Sequence, residues 1–95
     1  MEHNQQVEKV HVIYTGYVQG VGFRFTACDV AERFKIYGWV KNLHSGEVEL
    51  VAEGKKKVLI NFLQSLEDAV GRYVQNREIS WAKGEKEFES FDIRY

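Results

Sequence analysis

The chain has one cysteine, Cys28, so it forms no internal disulfide and offers no cysteine pair on which to build a zinc or iron–sulfur site. That usage fits a reducing compartment. No run of eighteen apolar residues occurs, and Met1 to Gln6 is polar without an apolar signal core, so neither a spanning helix nor a secretory leader is expected. Residues 1–6 read as a flexible arm, and a cytoplasmic protein with no membrane partner is expected. A charge excess of one sign is also missing: 13 Lys and Arg stand against 14 Asp and Glu, for a net charge of -1. Without a basic field there is nothing to gather nucleic acid, and any anion site must be local. Linkers, internal repeats and low-complexity tracts are absent, and 95 residues suffice for one core only, placed at 7–95. The hydrophobic fraction of 44% is enough to pack that core.

Hydrophobic periodicity orders the elements. Val10, Val12 and Tyr14 alternate with His11, Ile13 and Thr15 in a β-branched, aromatic run, read as a first strand buried on both faces and ended by Gly16. Phe23, Ala27, Val30, Ala31 and Phe34 then line one face of a helix. Ile36 to Leu43 is a second strand. The loop His44, Ser45 and Gly46 joins it to a third at Glu47 to Glu53, with Val48, Leu50 and Ala52 on one face and Glu47, Glu49 and Glu53 directed away. Val58, Leu59, Phe62, Leu63, Leu66, Ala69 and Val70 form a second amphipathic helix that Gly71 can terminate, and Lys55 to Lys57 is its solvated start. Tyr73 to Trp81 reads as a fourth strand, Lys83 to Glu87 as a turn and Phe88 to Tyr95 as a fifth strand. The fold expected is α+β: the split βαβ, ferredoxin-like sandwich βαββαβ with a short fifth strand, two helices on one face of a mainly antiparallel sheet. That scaffold by itself names no function.

Chemistry concentrates at Gly16 to Arg24, Gly-Tyr-Val-Gln-Gly-Val-Gly-Phe-Arg, between the first strand and the first helix. The segment holds three glycines and no acid, so its main-chain N–H groups can converge on an anion, joined by the unpaired donors and positive dipole end of the helix. Arg24 near that end is disfavoured by about 0.3–1 kcal/mol unless a bound anion reverses the local field. Its planar fork suits phosphate oxygens better than a lysine would. No Lys-Ser or Lys-Thr follows a glycine as in a P-loop, and the third glycine of a dinucleotide fingerprint is missing, so ATP and NAD are excluded. Asn42, taken alone, is a strand-end turn residue. With strands one and two parallel, however, their C-terminal ends emerge at one edge, and Asn42 joins the anion loop there.

These residues match the pattern Gly-x-Val-Gln-Gly-Val-x-Phe-Arg at every fixed position, and the chain resembles the acylphosphatase family through Gly38 to Leu43, Gly46 with Val48 and Glu49, and Ala52 to Gly54. The resemblance implies hydrolysis of carboxyl–phosphate mixed anhydrides to a carboxylate and inorganic phosphate, with small acyl phosphates as substrates. It implies a phosphate cradle at Val18, Gln19, Gly20, Val21, Gly22 and Phe23, phosphate oxygens bound by Arg24, and the attacking water held by Asn42. No metal, other cofactor or covalent intermediate is called for, and a monomer is expected. Two departures stand out. Asp68 to Tyr73 replaces the Gly-Pro that often follows the second helix, and Tyr17 sits where a basic residue is common.

Other candidates read as structural. His44 is a loop residue rather than a general base, Cys28 a packed or idle thiol, and His3 and His11 tail and strand residues. Trp39, Trp81, Phe62 and Phe91 serve packing. Two rival functions share the scaffold. An RNA-recognition module would need stacking aromatics on the third strand, and Glu47 to Glu53 has none. A non-catalytic, regulatory acylphosphatase-like domain would keep the loop without turnover, against which stand Arg24 and Asn42 together.

Overall fold

A computed structural model describes residues 6–95; of the expected N-terminal arm, residues 1–5 lie outside the described residues. The elements run β1 (Glu8–Gly16), α1 (Phe23–Phe34), β2 (Tyr37–Asn42), β3 (Val48–Gly54), α2 (Lys56–Val70), β4 (Val74–Lys83) and β5 (Phe91–Arg94), with a single 3-10 turn at Gly71–Tyr73 before β4. The sheet order is β4-β1-β3-β2-β5. Only β2 and β5 pair in parallel; the β1–β3, β1–β4 and β2–β3 ladders are antiparallel. Two helices on a five-stranded mixed sheet give the expected ferredoxin-like α+β fold.

One face of the sheet carries the core. Val10, Val12 and Tyr14 of β1, Val40 of β2, and Val48, Leu50 and Ala52 of β3 are fully buried together with Ala27 and Val30 of α1 and Leu59, Phe62 and Leu66 of α2. Among the described residues no layer covers the other face, which corrects the expectation that β1 is buried on both sides. His11 and Ile13 are half-exposed, and His11 Nε2 lies 2.7 Å from Glu49 Oε2. The β-branched run of β1 imitates two-sided burial because Ile13 interrupts the polar alternation.

Two further expectations shift. Glu53 is not solvated but 6% exposed, because its carboxylate accepts the N–H groups of Glu85 and Glu87 at 2.8 and 3.0 Å. Those bonds hold the connection between β4 and β5 against β3, so it is longer than the expected turn and β5 begins at Phe91. Gly71 does follow the last residue of α2, and it is right-handed, at φ -59, since the 3-10 turn continues the winding. A left-handed helix end occurs in α1, at Lys35 (φ 56), where the N–H groups of Lys35 and Ile36 reach Glu32 and Ala31 carbonyls in a paired 5→2 and 6→1 arrangement. No described helix is long and apolar enough to cross a membrane.

Tyr14 ties the sheet to α2: its hydroxyl donates to Glu67 at 2.8 Å, and Glu67 also pairs with Arg77 of β4. Burial first, and the Glu67 charge second, push the Tyr14 hydroxyl far above its ordinary value of 10.0. The folded state therefore keeps a proton that the unfolded chain releases. Its stabilisation is whole below pH 10 and falls by about 1.4 kcal/mol per pH unit above it. Urea unfolding between pH 8 and 11 is expected to show this fall in the wild type, and a shallower one in Tyr14→Phe.

Candidate active site

The register places the expected partners side by side. Val48 of β3 pairs with Tyr14 on one side and with Asn42 on the other, so the end of β1 and the end of β2 lie level in the sheet. They are two strand spacings apart, about 9.5 Å. The loop leaving β1 at Gly16 needs only to turn back over that edge to reach Asn42.

Side chains anchor the loop. Tyr17 N–H donates to the Tyr73 carbonyl at 2.9 Å, and Val18 is fully buried. The Gln19 amide donates to the carbonyls of Leu43 and Glu47 at 2.7 and 2.9 Å, clamping the loop onto the β2–β3 turn. Phe23 packs on the Tyr14 ring with centroids 5.2 Å apart. The main chain is left free: among the described residues, no backbone carbonyl receives an N–H from Val18 through Phe25, and the first helical bond is Thr26 N–H to Gly22 at 3.0 Å.

The helix start is built without a cap of its own. Gly22 is the N-cap residue, at φ 79, with no side-chain acceptor, and the first turn of α1 carries no acid. Gly20 has the same left-handed backbone, at φ 80. A Cβ at Gly22 would meet nothing within 4 Å, so Gly22→Ala costs torsional strain alone. We expect about 1 kcal/mol lost in urea unfolding and inorganic phosphate bound several-fold more weakly by calorimetry.

Val18, Gly20, Gly22, Phe23, Arg24, Phe25 and Asn42 line one cavity of about 190 Å³. The glycines contribute to it only through main chain. Arg24, the second residue of α1, is half-exposed, and its guanidinium carbon lies 5.3 Å from the Tyr95 ring centroid. Arg33 and Arg77 have carboxylate partners, whereas among the described residues Arg24 has none. Asn42 closes β2, and its amide makes no side-chain hydrogen bond among the described residues. The structure thus brings Val18, Gly20, Gly22, Phe23, Arg24 and Asn42 together. Gln19 and Val21 stand outside the lining and serve as anchors, Val21 against the core.

Two aromatic neighbours escaped the sequence reading, Phe25 in the lining itself and Tyr95 in that of the adjoining cavity. Phe25 lies off the apolar face of α1 and is 68% exposed, a large aromatic with no packing duty, and that mismatch was the available signal. Tyr95 follows β5, whose parallel register sets Arg94 beside Lys41 and so carries Tyr95 to Asn42. His44 is exposed and lines a neighbouring cavity rather than the one with Arg24. Burial, and secondarily Asp92, push the Cys28 thiol up, which keeps it a weak nucleophile.

A ferredoxin-like sandwich whose loop glycines, uncapped helix start and a guanidinium with no carboxylate partner among the described residues surround one small cavity has the chemistry to accept a tetrahedral oxyanion on its main chain. A family model described as Acylphosphatase matches residues 10–93. The acylphosphatase of Methanospirillum hungatei is 42% identical over 73 residues, covering 77% of this chain and 80% of that relative. The crystal structure of acylphosphatase from Bacillus subtilis superposes with a TM-score of 0.84 at 30% identity, over 93% of this chain and 99% of the other. Full-length HypF, in a phosphate- and nucleotide-bound form, superposes with a TM-score of 0.81 at 26% identity, over 95% of this chain and 12% of HypF. The chain belongs to the acylphosphatase family, and its enzymatic class is that of an acylphosphatase.

Proposed function

We propose that the chain hydrolyses the carboxyl–phosphate bond of small acyl phosphates with the phosphoryl group in the 16–24 loop, its oxygens on the main-chain N–H groups and Arg24, and the water on Asn42. The observation that carries this reading is the single cavity lined at once by Gly20, Gly22, Arg24 and Asn42. Attack of the water oxygen on phosphorus breaks the bond to the acyl oxygen, a carboxylate departs, and the water's proton passes to a phosphoryl oxygen of the substrate. A carboxylate is a good leaving group, so positioning and charge stabilisation suffice. Asn42 is no strong base, but its carbonyl oxygen accepts one hydrogen bond from the water and so orients it.

The cavity lining contains no His, Cys, Asp or Glu, hence no protein donor set for a resident metal and no protein general base. Phosphate release from acetyl phosphate is therefore expected to persist in excess chelator. A second reading, a phosphate-binding domain without turnover, draws on the match to a minor part of HypF. Calorimetric binding of inorganic phosphate with no release from acetyl phosphate would select it. The unpaired, half-buried thiol of Cys28 supports a reducing, cytoplasmic setting. The same reading takes the enzyme as a monomer, checked by sedimentation.

A further inference from the structure

Displacement at phosphorus runs in line, with the attacking and departing oxygens on opposite sides. If Asn42 holds the water, the acyl group leaves on the side away from β2. The larger cavity on the hairpin side, about 440 Å³ and lined by Gln19, Lys41, Leu43, His44 and Tyr95, shares Asn42 with the phosphate cavity. It therefore lies on the water's side and does not receive the leaving group.

The opposite side is set by the helix. Successive side chains turn by about 100° around an α-helix. Phe23 points into the core and is 2% exposed; Arg24 follows at one step and Phe25 at two, which directs Phe25 outward from the sheet. Phe25 nevertheless lines the phosphate cavity together with Arg24. Its ring joins neither the core cluster nor an aromatic pair among the described residues, so an apolar surface stands open in the lining of the cavity that Arg24 and Asn42 also line.

We propose that Phe25 is the acyl subsite, a specificity-determining residue that favours acyl groups with an apolar or aromatic body over acetyl. The inference rests on the assignment of the water to Asn42 and of the phosphoryl group to the loop. An aryl group laid against the ring removes apolar surface on both partners from water, while acetyl offers a single methyl.

The test compares kcat/KM for benzoyl phosphate and acetyl phosphate in the wild type, Phe25→Ala and Phe25→Trp. The position is exposed and alanine is a strong helix former, so the fold survives the change. The benzoyl-to-acetyl ratio is expected to fall about tenfold in Phe25→Ala and to return in Phe25→Trp. Inhibition by inorganic phosphate, which has no acyl group, is expected to move less than about twofold. A ratio unchanged in Phe25→Ala, or a loss shared equally by both substrates and by phosphate inhibition, overturns the subsite. No hydrolysis of either substrate by the wild type overturns the reading of the site itself, and the subsite with it.

Discussion

Arg24→Ala is expected to lower kcat/KM for acetyl phosphate about a thousandfold and to weaken inhibition by inorganic phosphate at least about thirtyfold. The guanidinium stands at the positive end of α1, where no acid in the first turn offsets it and no described carboxylate pairs with it. Apart from the Tyr95 ring, 5.3 Å from its guanidinium carbon, no described group offsets that cost, and on the proposed reading an arriving anion does. The thermal midpoint of the variant is accordingly expected to hold or rise slightly, while activity collapses. Arg24→Lys keeps the charge and loses the planar fork, so it should restore part of the phosphate affinity and little of the turnover. A variant that lost activity and stability in proportion would mean that Arg24 supports the loop structurally.

Asn42→Ala separates water positioning from substrate binding. Removing one positioning group costs about 3–4 kcal/mol in the transition state, a fall in kcat of two to three orders of magnitude. Because the proposed reading puts the phosphate oxygens on the loop and Arg24, the phosphate inhibition constant should change little. A loss confined to kcat marks an interaction made in the transition state, whereas a rise in KM alone would mark uniform binding. Asn42→Asp places a carboxylate opposite the phosphoryl oxygens, and repulsion should then weaken phosphate binding as well. Unchanged turnover in Asn42→Ala would remove the residue from the mechanism.

The two variants probe different parts of the fold, and that difference explains what could be read in advance. Phe23, Ala27, Val30 and Ala31 announced α1 by spacing, and Leu59, Phe62, Leu63 and Leu66 announced α2, because a helix that packs on a sheet must repeat its apolar positions. The loop was legible for a related reason: Gly20 and Gly22 take the left-handed backbone that glycine admits freely, and they leave main chain rather than side chains in the cavity lining. Glu53 was misjudged because nothing local reveals that a connection more than thirty residues later, at Glu85 and Glu87, places two N–H donors on its carboxylate. Lys35 was passed over for the same kind of reason, since the hydrogen bonds of the helix end carry a non-glycine residue into the left-handed region.

The order of the elements, most of the residues that face the core and the presence of a glycine-rich loop beside an arginine were all determined by the sequence. Each follows from periodicity or backbone freedom over a few consecutive residues. Tertiary structure decided which distant groups share a cavity: Val48 pairing with both Tyr14 and Asn42 brings β1 and β2 level, and Tyr95 reaches Arg24 through the parallel β5. Such contacts depend on register and strand order, which are settled by the packing of the whole sheet and leave no mark on the residues nearby.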